Sequence, residues 1–409
     1  MTDADLPLRQ ATPDDFAKVS ALLFGLFHRA FDPATHDVER RVWEPERALV
    51  VTDGDDIVGH AVAMTRDLTV PGAVLAAAHV TGVGVAPTHR RRGLLTRLMR
   101  RQFQDVRDAG REPIAVLWAS EGRIYPRFGY GFASARLELT IDAREVGLPA
   151  ATAAHQLRAG TPADLLAEMT KVYDTLRPDR PGWSSRDEDW WAQVLADPPA
   201  QRRDATELRA VVHEGEGGLD GYALWRSKSG WSATGPDAEV HVTEVAAADP
   251  VAYAALWRFL LGIDLARRVR YSFAALDEPL LHLVNEPQRL GTHYSDGLWV
   301  RLVDLPGALS ARRYASPVDV VFEVSDPILP ENSGRWRLVG GTDRAACERT
   351  SAEPDLACGA VDLGAAYLGG TSLAALATAG RVRELRPGSL LPASTAFGWH
   401  RLPVAPEVF

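Results

Sequence analysis

The chain has 409 residues, 46% hydrophobic and 24% charged, with 45 basic against 54 acidic side chains and a net charge of −9. At roughly 100–200 residues per domain this length implies two to four domains, with enough core to need no disulfide or metal staple. Its two cysteines, Cys347 and Cys358, exclude a disulfide framework, a zinc ribbon and a four-cysteine iron–sulfur site, and the acidic balance argues against a general nucleic-acid binder. The start is acidic with no basic-then-apolar run, and no uninterrupted apolar stretch of about 18 residues occurs. The expectation is a cytoplasmic protein with no secretory signal, no membrane span and two buried thiols in a reducing compartment.

In chain order, Leu8-Arg9-Gln10-Ala11-Thr12-Pro13-Asp14-Asp15-Phe16 reads as a short strand and a helix start. Thr12 is the cap, Pro13 takes the first helical position, and an acid follows three residues after the Thr. Phe16, Val19, Leu22, Leu23, Leu26 and Phe27 form a helical stripe. Strands are expected near 48–52, from Ile57 onward after a turn at 53–56, and over 80–85, with an apolar helix next. The order then recurs. Leu157-Arg158-Ala159-Gly160-Thr161-Pro162-Ala163-Asp164-Leu165 repeats the first motif, Gly218-Leu219-Asp220-Gly221-Tyr222-Ala223 answers the strand at Ile57, and 240–245 answers 80–85. Two copies of one α/β unit fit this spacing. From Leu298 the pattern changes to a third, α+β unit. The expected domains are 1–150, 151–297 and 298–409, with the first boundary in the stretch 149–154.

The most informative stretch is Val83-Gly84-Val85-Ala86-Pro87-Thr88-His89-Arg90-Arg91-Arg92-Gly93-Leu94-Leu95-Thr96-Arg97-Leu98-Met99. It runs from strand through an Arg- and Gly-containing turn into a helix. Unpaired N–H groups and the positive dipole end at such a helix start make an anion site suited to phosphate. Gly93 clears the backbone for a pyrophosphate, and the arginines add charge. Gly84 inside the strand signals a bulge or a close ligand approach. No Gly-Lys-Ser/Thr and no G-x-G-x-x-G occurs here, so Walker-type and dinucleotide motifs do not fit. Downstream, Ile114-Ala115-Val116-Leu117-Trp118 reads as the next strand, followed by Tyr125 and Tyr130. Tyrosine, with a reference pKa of about 10, is a proton donor at neutral pH. Tyr130, beside Phe128 in a Gly-flanked turn, reads as packing.

The strand–Arg-Arg-x-Gly–helix order resembles the acetyl-coenzyme A signature of the GNAT acyltransferase superfamily, with Arg90, Gly93 and Leu95 at its positions; Leu95 departs from the small residue usual there. Together with Ala119-Ser120-Glu121-Gly122, Ile124-Tyr125-Pro126-Arg127-Phe128-Gly129-Tyr130-Gly131, Asp296-Gly297-Leu298-Trp299-Val300-Arg301 and Leu363-Gly364-Ala365-Ala366-Tyr367-Leu368-Gly369, it resembles the enhanced intracellular survival (Eis) acetyltransferase family. The likeness runs through all three units. It implies a mixed α/β protein: a catalytic GNAT domain, a second GNAT-like domain and a sterol carrier protein-like α+β domain. It also implies an acetyl-coenzyme A-dependent N-acetyltransferase acting on aminoglycoside amines, assembled as a homohexamer. Carried over by position, coenzyme A contacts fall on Val83, Gly84, Val85, Arg91, Arg92, Gly93, Leu94, Leu95, Thr96, Ser120 and Glu121. Tyr125 becomes the general acid, and the C-terminal carboxylate of Phe409 the base. By itself the ending Ala405-Pro406-Glu407-Val408-Phe409 reads as a frayed terminus.

In the second copy Tyr253 replaces Gly93, and Asp249 puts negative charge where phosphate would lie, so that copy is expected not to bind coenzyme A. His28, His60, His79 and His89 show no metal-ligand spacing. Trp183, Trp190 and Trp191 read as core, and Trp43 and Trp118 as packing that borders the cleft. Asp32, Glu39, Glu44, Glu46 and Glu407 are the acids available to grip a polyamine. Two other readings stand beside the aminoglycoside one: acetylation of protein lysines or peptide amines, and a lipid-binding regulatory module with a vestigial acyltransferase. Neither metal, nucleic acid nor membrane is expected as a partner.

Overall fold

The computed structural model describes residues 6–29, 31–150 and 156–409. The extreme N-terminus and most of the stretch expected to hold the first domain boundary lie outside the described residues. Both copies of the Thr-Pro motif fold as their sequence dictates. The carboxylate of Asp15 accepts from the Thr12 amide (2.8 Å) and hydroxyl (3.0 Å) and pairs with Arg9 (2.7 Å). The Thr161 hydroxyl likewise donates to Asp164 (2.7 Å). Each motif closes a short strand and opens a helix.

The first unit contains β1 (Leu8–Gln10), α1 (Phe16–Leu26), α2 (Pro33–Val42), β2 (Ala48–Asp53), β3 (Asp56–Val70), β4 (Ala73–Val85), α3 (Leu94–Ala109), β5 (Ile114–Trp118), β6 (Gly131–Phe132) and β7 (Ala135–Asp142). The second runs β8 (Gln156–Gly160), α4 (Leu166–Leu176), α5 (Glu188–Val194), β9 (Arg209–Gly215), β10 (Gly218–Lys228), a small hairpin of β11 (Trp231–Ser232) and β12 (Gly235–Pro236), β13 (Ala238–Ala247), α6 (Pro250–Leu261), β14 (Ala266–Ala274), α7 (Leu280–Leu283) and β15 (His293–Asp296). The last comprises β16 (Leu298–Leu302), α8 (Leu305–Ala311), β17 (Val318–Ser325), β18 (Gly334–Gly340), β19 (Ala345–Arg349), β20 (Leu356–Gly359), α9 (Ala360–Ala366), α10 (Leu373–Thr378), β21 (Arg383–Glu384) and α11 (Leu390–Phe397).

Two sheets of seven strands exchange elements. The first has the order β1-β2-β3-β4-β5-β16-β6, so β16 is wedged between β5 (Val300 opposite Val116) and β6 (Trp299 opposite Phe132). The second has the order β15-β7-β14-β13-β10-β9-β8, and takes β7 from the N-terminal part of the chain. A third sheet, β19-β18-β17-β20-β21, carries α8 through α11. The units also share a core. Leu68, Val70 and Val116 of the first sheet pack in one buried cluster with Val300, Phe322, Leu338 and Phe397. Leu94, Leu98, Met99, Phe103 and Val106 recur at helical spacing on the buried face of α3. Among the described residues no helix is long and apolar enough to cross a membrane.

The tightest seam between the first and third units is at Gly131. A Cβ there would overlap the carbonyl of Val361 and the amide of Ala365, both backbone atoms of α9 that cannot swing away. Gly131→Ala is therefore expected to cost about 1–3 kcal/mol or more and to lower the calorimetric midpoint by several degrees. An unchanged midpoint would show that α9 and β6 are not rigidly docked.

Candidate active site

β4 and β5 form a parallel pair that opens. They are in register at Ala77–Ile114, Ala78–Ala115 and His79–Val116. β4 then runs on to Val85 bonded to β3 alone, and β5 departs. The parting coincides with an irregularity opposite His60 and Val62, where Gly82 adopts φ +58°. Buried His60 holds that bend: its Nδ1 lies 2.7 Å from the Gly82 carbonyl, and its Nε2 faces the Trp43 indole nitrogen at 3.4 Å. Burial pushes the His60 pKa down to about 4, so the ring is neutral at pH 7. The carbonyl and the indole N–H together fix the proton on Nδ1. The bulge read at Gly84 thus lies two residues earlier. Gly84 itself is where Leu26 of α1 crosses the strand, and a Cβ there would overlap the leucine methyl.

The turn after β4 leads to the start of α3. Arg91 (φ +63°) and Gly93 (φ +78°) bracket Arg92 in left-handed conformations, and a Cβ on Gly93 would meet nothing within 4 Å. Gly93 brings no side chain to cap the helix, and Arg97 is the first residue whose amide finds a carbonyl, that of Gly93 at 3.1 Å. The amides of Leu94, Leu95 and Thr96 are thereby left as donors at the helix's positive end. Arg90 and Arg91 are exposed around them. These features fit the diphosphate of a coenzyme A. Leu95, the departure from the small residue of the motif, packs with Val83 and Ala119 on the cluster that contains Tyr125.

Ser120 and Glu121 follow β5 at the surface. Glu121 pairs with Arg123 at 2.7 Å, and Ser120 stands beside Tyr125. Tyr125 is buried; burial raises its pKa, Ser120 works the other way, and the group stays a protonated donor at neutral pH. Tyr130 is fully buried against Phe103 and Tyr125, and burial raises its pKa further; this is the packing role read from the sequence.

The last residues are not frayed. The main-chain oxygen of Phe409 accepts from the Thr81 hydroxyl at 2.9 Å, on the stretch where β4 leaves β5. Its ring lies 4.7 Å from that of His79. His79 is bonded to Ser184 Oγ (2.8 Å) and the Ala77 carbonyl (2.9 Å), and burial, then the nearby Arg66, pushes its pKa down to about 3. Upstream, the Leu402 carbonyl and amide are held by Arg180 (2.9 Å) and Asp277 (3.0 Å), and the Val404 amide by Pro181 (3.0 Å).

Glu407 is the strongest tie. Its carboxylate bonds Arg66 Nη2 at 2.7 Å and Arg186 Nε at 3.0 Å, with a further close bond to Arg186 Nη2. Arg186 also grips Glu244 (2.7 Å), which accepts from Tyr222. The two guanidiniums lie over Trp190 (4.0 Å) and over Tyr173 and Trp191 (4.0 and 4.6 Å). Burial would raise the Glu407 pKa, but Arg186 and Arg66 overcome it and hold the group at about 2. Glu407 is thus a tether of the tail and not a grip for substrate. Asp32 caps α2 through the Thr35 amide, Glu39 pairs with Arg29, and Glu44 receives the Thr65 amide. Sequence reasoning missed the tether because its partners lie 221 and 341 residues away; the signal available was one acid in an otherwise apolar tail.

The second copy repeats the opening but not the anion site. β13 and β14 pair in parallel up to Val242–Tyr271 and then part. At α6 the Asp249 carboxylate accepts from the amides of Val251 (2.7 Å) and Ala252 (3.0 Å), taking donors that α3 leaves open.

Divergent parallel strands, an uncapped helix start and a buried tyrosine define a GNAT-type acyltransferase centre. Comparison with known proteins agrees. Residues 7–133 and 182–302 each match an acetyltransferase (GNAT) domain, and 305–406 match a sterol carrier protein domain. The chain is 47% identical to an uncharacterized N-acetyltransferase of Streptomyces avermitilis, covering 91% of this chain and 92% of the relative. It is 35% identical to N-acetyltransferase Eis of Mycobacterium tuberculosis with the same coverage. Eis1 from Mycobacterium abscessus superposes with a TM-score of 0.84 at 31% identity, over 98% of this chain and all of that one. The chain belongs to the Eis family of N-acetyltransferases and is an acyltransferase.

The tether makes stability pH-dependent. The folded pKa of Glu407, about 2, lies below the ordinary 4.5. The unfolded chain therefore binds more protons in between, and this stabilisation is full above about pH 4.5 and lost as the pH falls toward 2. His60 and His79, held at about 4 and 3 instead of 6.5, act in the same direction from pH 6.5 downward. Glu407→Gln is expected to cost about 3–5 kcal/mol at pH 7 and progressively less below pH 4.5. Unfolding midpoints of both proteins across pH 7 to 3 check this; a constant difference would refute the tether.

Proposed function

We propose that the enzyme transfers the acetyl group of acetyl-coenzyme A directly to a primary amine of a polycationic small molecule of the aminoglycoside type. The observation that carries this reading is the terminal carboxylate of Phe409, fixed on Thr81 where β4 leaves β5. When bound, acetyl-coenzyme A supplies an activated acyl thioester. The amides of Leu94, Leu95 and Thr96, with Arg90, Arg91 and Arg92, hold its phosphates, and the backbone of Val83, Gly84 and Val85 along the open edge of β4 orients and polarises the acetyl carbonyl. The Phe409 carboxylate attracts the ammonium group and takes up its proton through water. Such a carboxylate titrates at about 3.5, so it works by position more than by basicity. Tyr125 delivers its proton to the departing sulfur. No covalent enzyme intermediate is required, in keeping with the burial of both cysteines. The same buried thiols suit a cytoplasmic setting, and a homohexamer is the assembly proposed, testable by light scattering.

The lipid-carrier reading has less support. The interior of the third unit is occupied by Tyr314, Phe322, Tyr367 and Phe397 around the fully buried Arg312, whose guanidinium donates to the carbonyls of Tyr367 (2.6 Å) and Phe397 (2.9 Å). A charged group at the centre is a poor lining for an alkyl chain.

Tyr125→Phe and deletion of Phe409 are each expected to lower kcat/KM by about 10²–10⁴ with the fold intact, followed as thiol release over aminoglycosides, lysine peptides and small diamines. Product mass counts the acetyl groups. Wild-type turnover in both variants would sink the mechanism, and preference for lysine peptides would reassign the acceptor. Arg91→Ala is expected to raise the KM for acetyl-coenzyme A while leaving the acceptor KM unchanged.

A further inference from the structure

The parted strands of the second unit enclose a space of their own. Beyond the last pair of β13 and β14 lies a cavity of about 590 Å³, within the usual range of about 300–1,000 Å³ for small-molecule sites. Its walls come from 176–283 and from tail residues 400–406, with none from the first unit. The diphosphate route is closed by Asp249. Four aromatic side chains, Trp183 from a loop, Tyr253 from α6, and Tyr271 and Phe273 from β14, face this space.

The charges on its wall are unequally matched. Asp277 pairs with Arg180 (2.7 Å) and Glu244 with Arg186 (2.7 Å), while the rim cation Arg401 pairs with Asp179 (2.9 Å). Glu278 is 6% exposed, and its carboxyl takes the Tyr253 hydroxyl, a neutral partner. Among the described residues it forms no ion pair. Burial raises its pKa, against opposing pulls from Tyr253 and Arg180. A buried carboxyl so placed is stabilised by any cation that comes within reach. The indole N–H of Trp183, 9% exposed on the same wall, has no acceptor. A cavity whose wall has two carboxyls without an ion pair, Glu278 buried inside and Asp249 exposed at the start of α6, with one unused donor and aromatic faces, is complementary to a cation with an apolar body and an acceptor atom.

We propose that the cleft of the second unit is a binding site for a small organic cation, its charge against Glu278, its body among the rings of Tyr253, Tyr271 and Phe273, and an acceptor on the Trp183 N–H. Val404 and Pro406 line the same space, so the occupant touches the segment that ends in Glu407 and Phe409.

The test is calorimetric titration of the full chain with benzoylcholine, a quaternary ammonium that has an acceptor carbonyl and no N–H to acetylate. Its carbon isostere, 3,3-dimethylbutyl benzoate, is the neutral control. The expected result is one-to-one binding, weakened about tenfold or more both by the isostere and by Glu278→Gln. Ala248→Trp is expected to abolish it, because Ala248 is exposed at the cavity mouth and the indole blocks entry without burdening the core. No heat at millimolar benzoylcholine, equal affinity for the isostere, or undiminished binding by Ala248→Trp would each overturn the proposal. If Glu278→Gln does not fold, Ala248→Trp decides alone.

Discussion

Phe409 can stay beside a cleft near residue 80 only if something holds it there. Chain ends lose few contacts by fraying, so the default is disorder. Here a four-charge cluster, Arg66, Glu407, Arg186 and Glu244, opposes that default. The cluster is neutral as a whole, each guanidinium is covered by an aromatic face, and it draws one member from the first unit, two from the second and one from the tail. Removing any member leaves an uncompensated charge in a buried place. The relative placement of all three units therefore converges on Glu407, two positions before Phe409.

The two GNAT-like copies show how little separates a cofactor cleft from a cleft of another kind. Both open a parallel strand pair; both set a helix at the opening. In the first copy the helix begins at a glycine with φ +78° and no capping side chain. In the second it begins at an aspartate that bonds two amides of the first turn. The same backbone donors that attract an anion in one copy are satisfied internally in the other. The second copy keeps the wedge as space while losing the attraction for phosphate, and the sign of its lining charge follows.

Local signals were legible in the sequence. The Thr12 and Thr161 caps, the strand–turn–helix at Gly93, the packing role of Tyr130 and the negative charge of Asp249 at the second copy's turn each depend on residues within a few positions of one another. The repeat revealed two copies because each copy carries its own caps and apolar stripes. Partnerships across the chain were not legible. Ala135–Asp142 belongs by sequence to the first unit and pairs in the second sheet, while Leu298–Leu302 opens the third unit by composition and pairs inside the first sheet. An apolar strand reads the same whichever sheet receives it. Glu407 looked like one more available acid, because neither Arg66 nor Arg186 carries a local mark of its partner. The bend at Gly82 was also invisible, since what fixes it is a buried histidine on the neighbouring strand.

These exchanges explain why a sterol carrier-like unit belongs to an acetyltransferase. β16, the strand just before the sterol carrier match at 305–406, is paired between β5 and β6, and α9 is pressed onto β6 at a spacing that admits only glycine at 131. The far end of the third unit returns along Arg180 and Pro181 to Thr81. The unit is thus anchored at both ends to the walls of the first cleft, and its interior, centred on the bonded guanidinium of Arg312, is built as a rigid block. A rigid block fixed at its start and docked at its end holds Phe409 with less conformational freedom than a loop of equal length would retain.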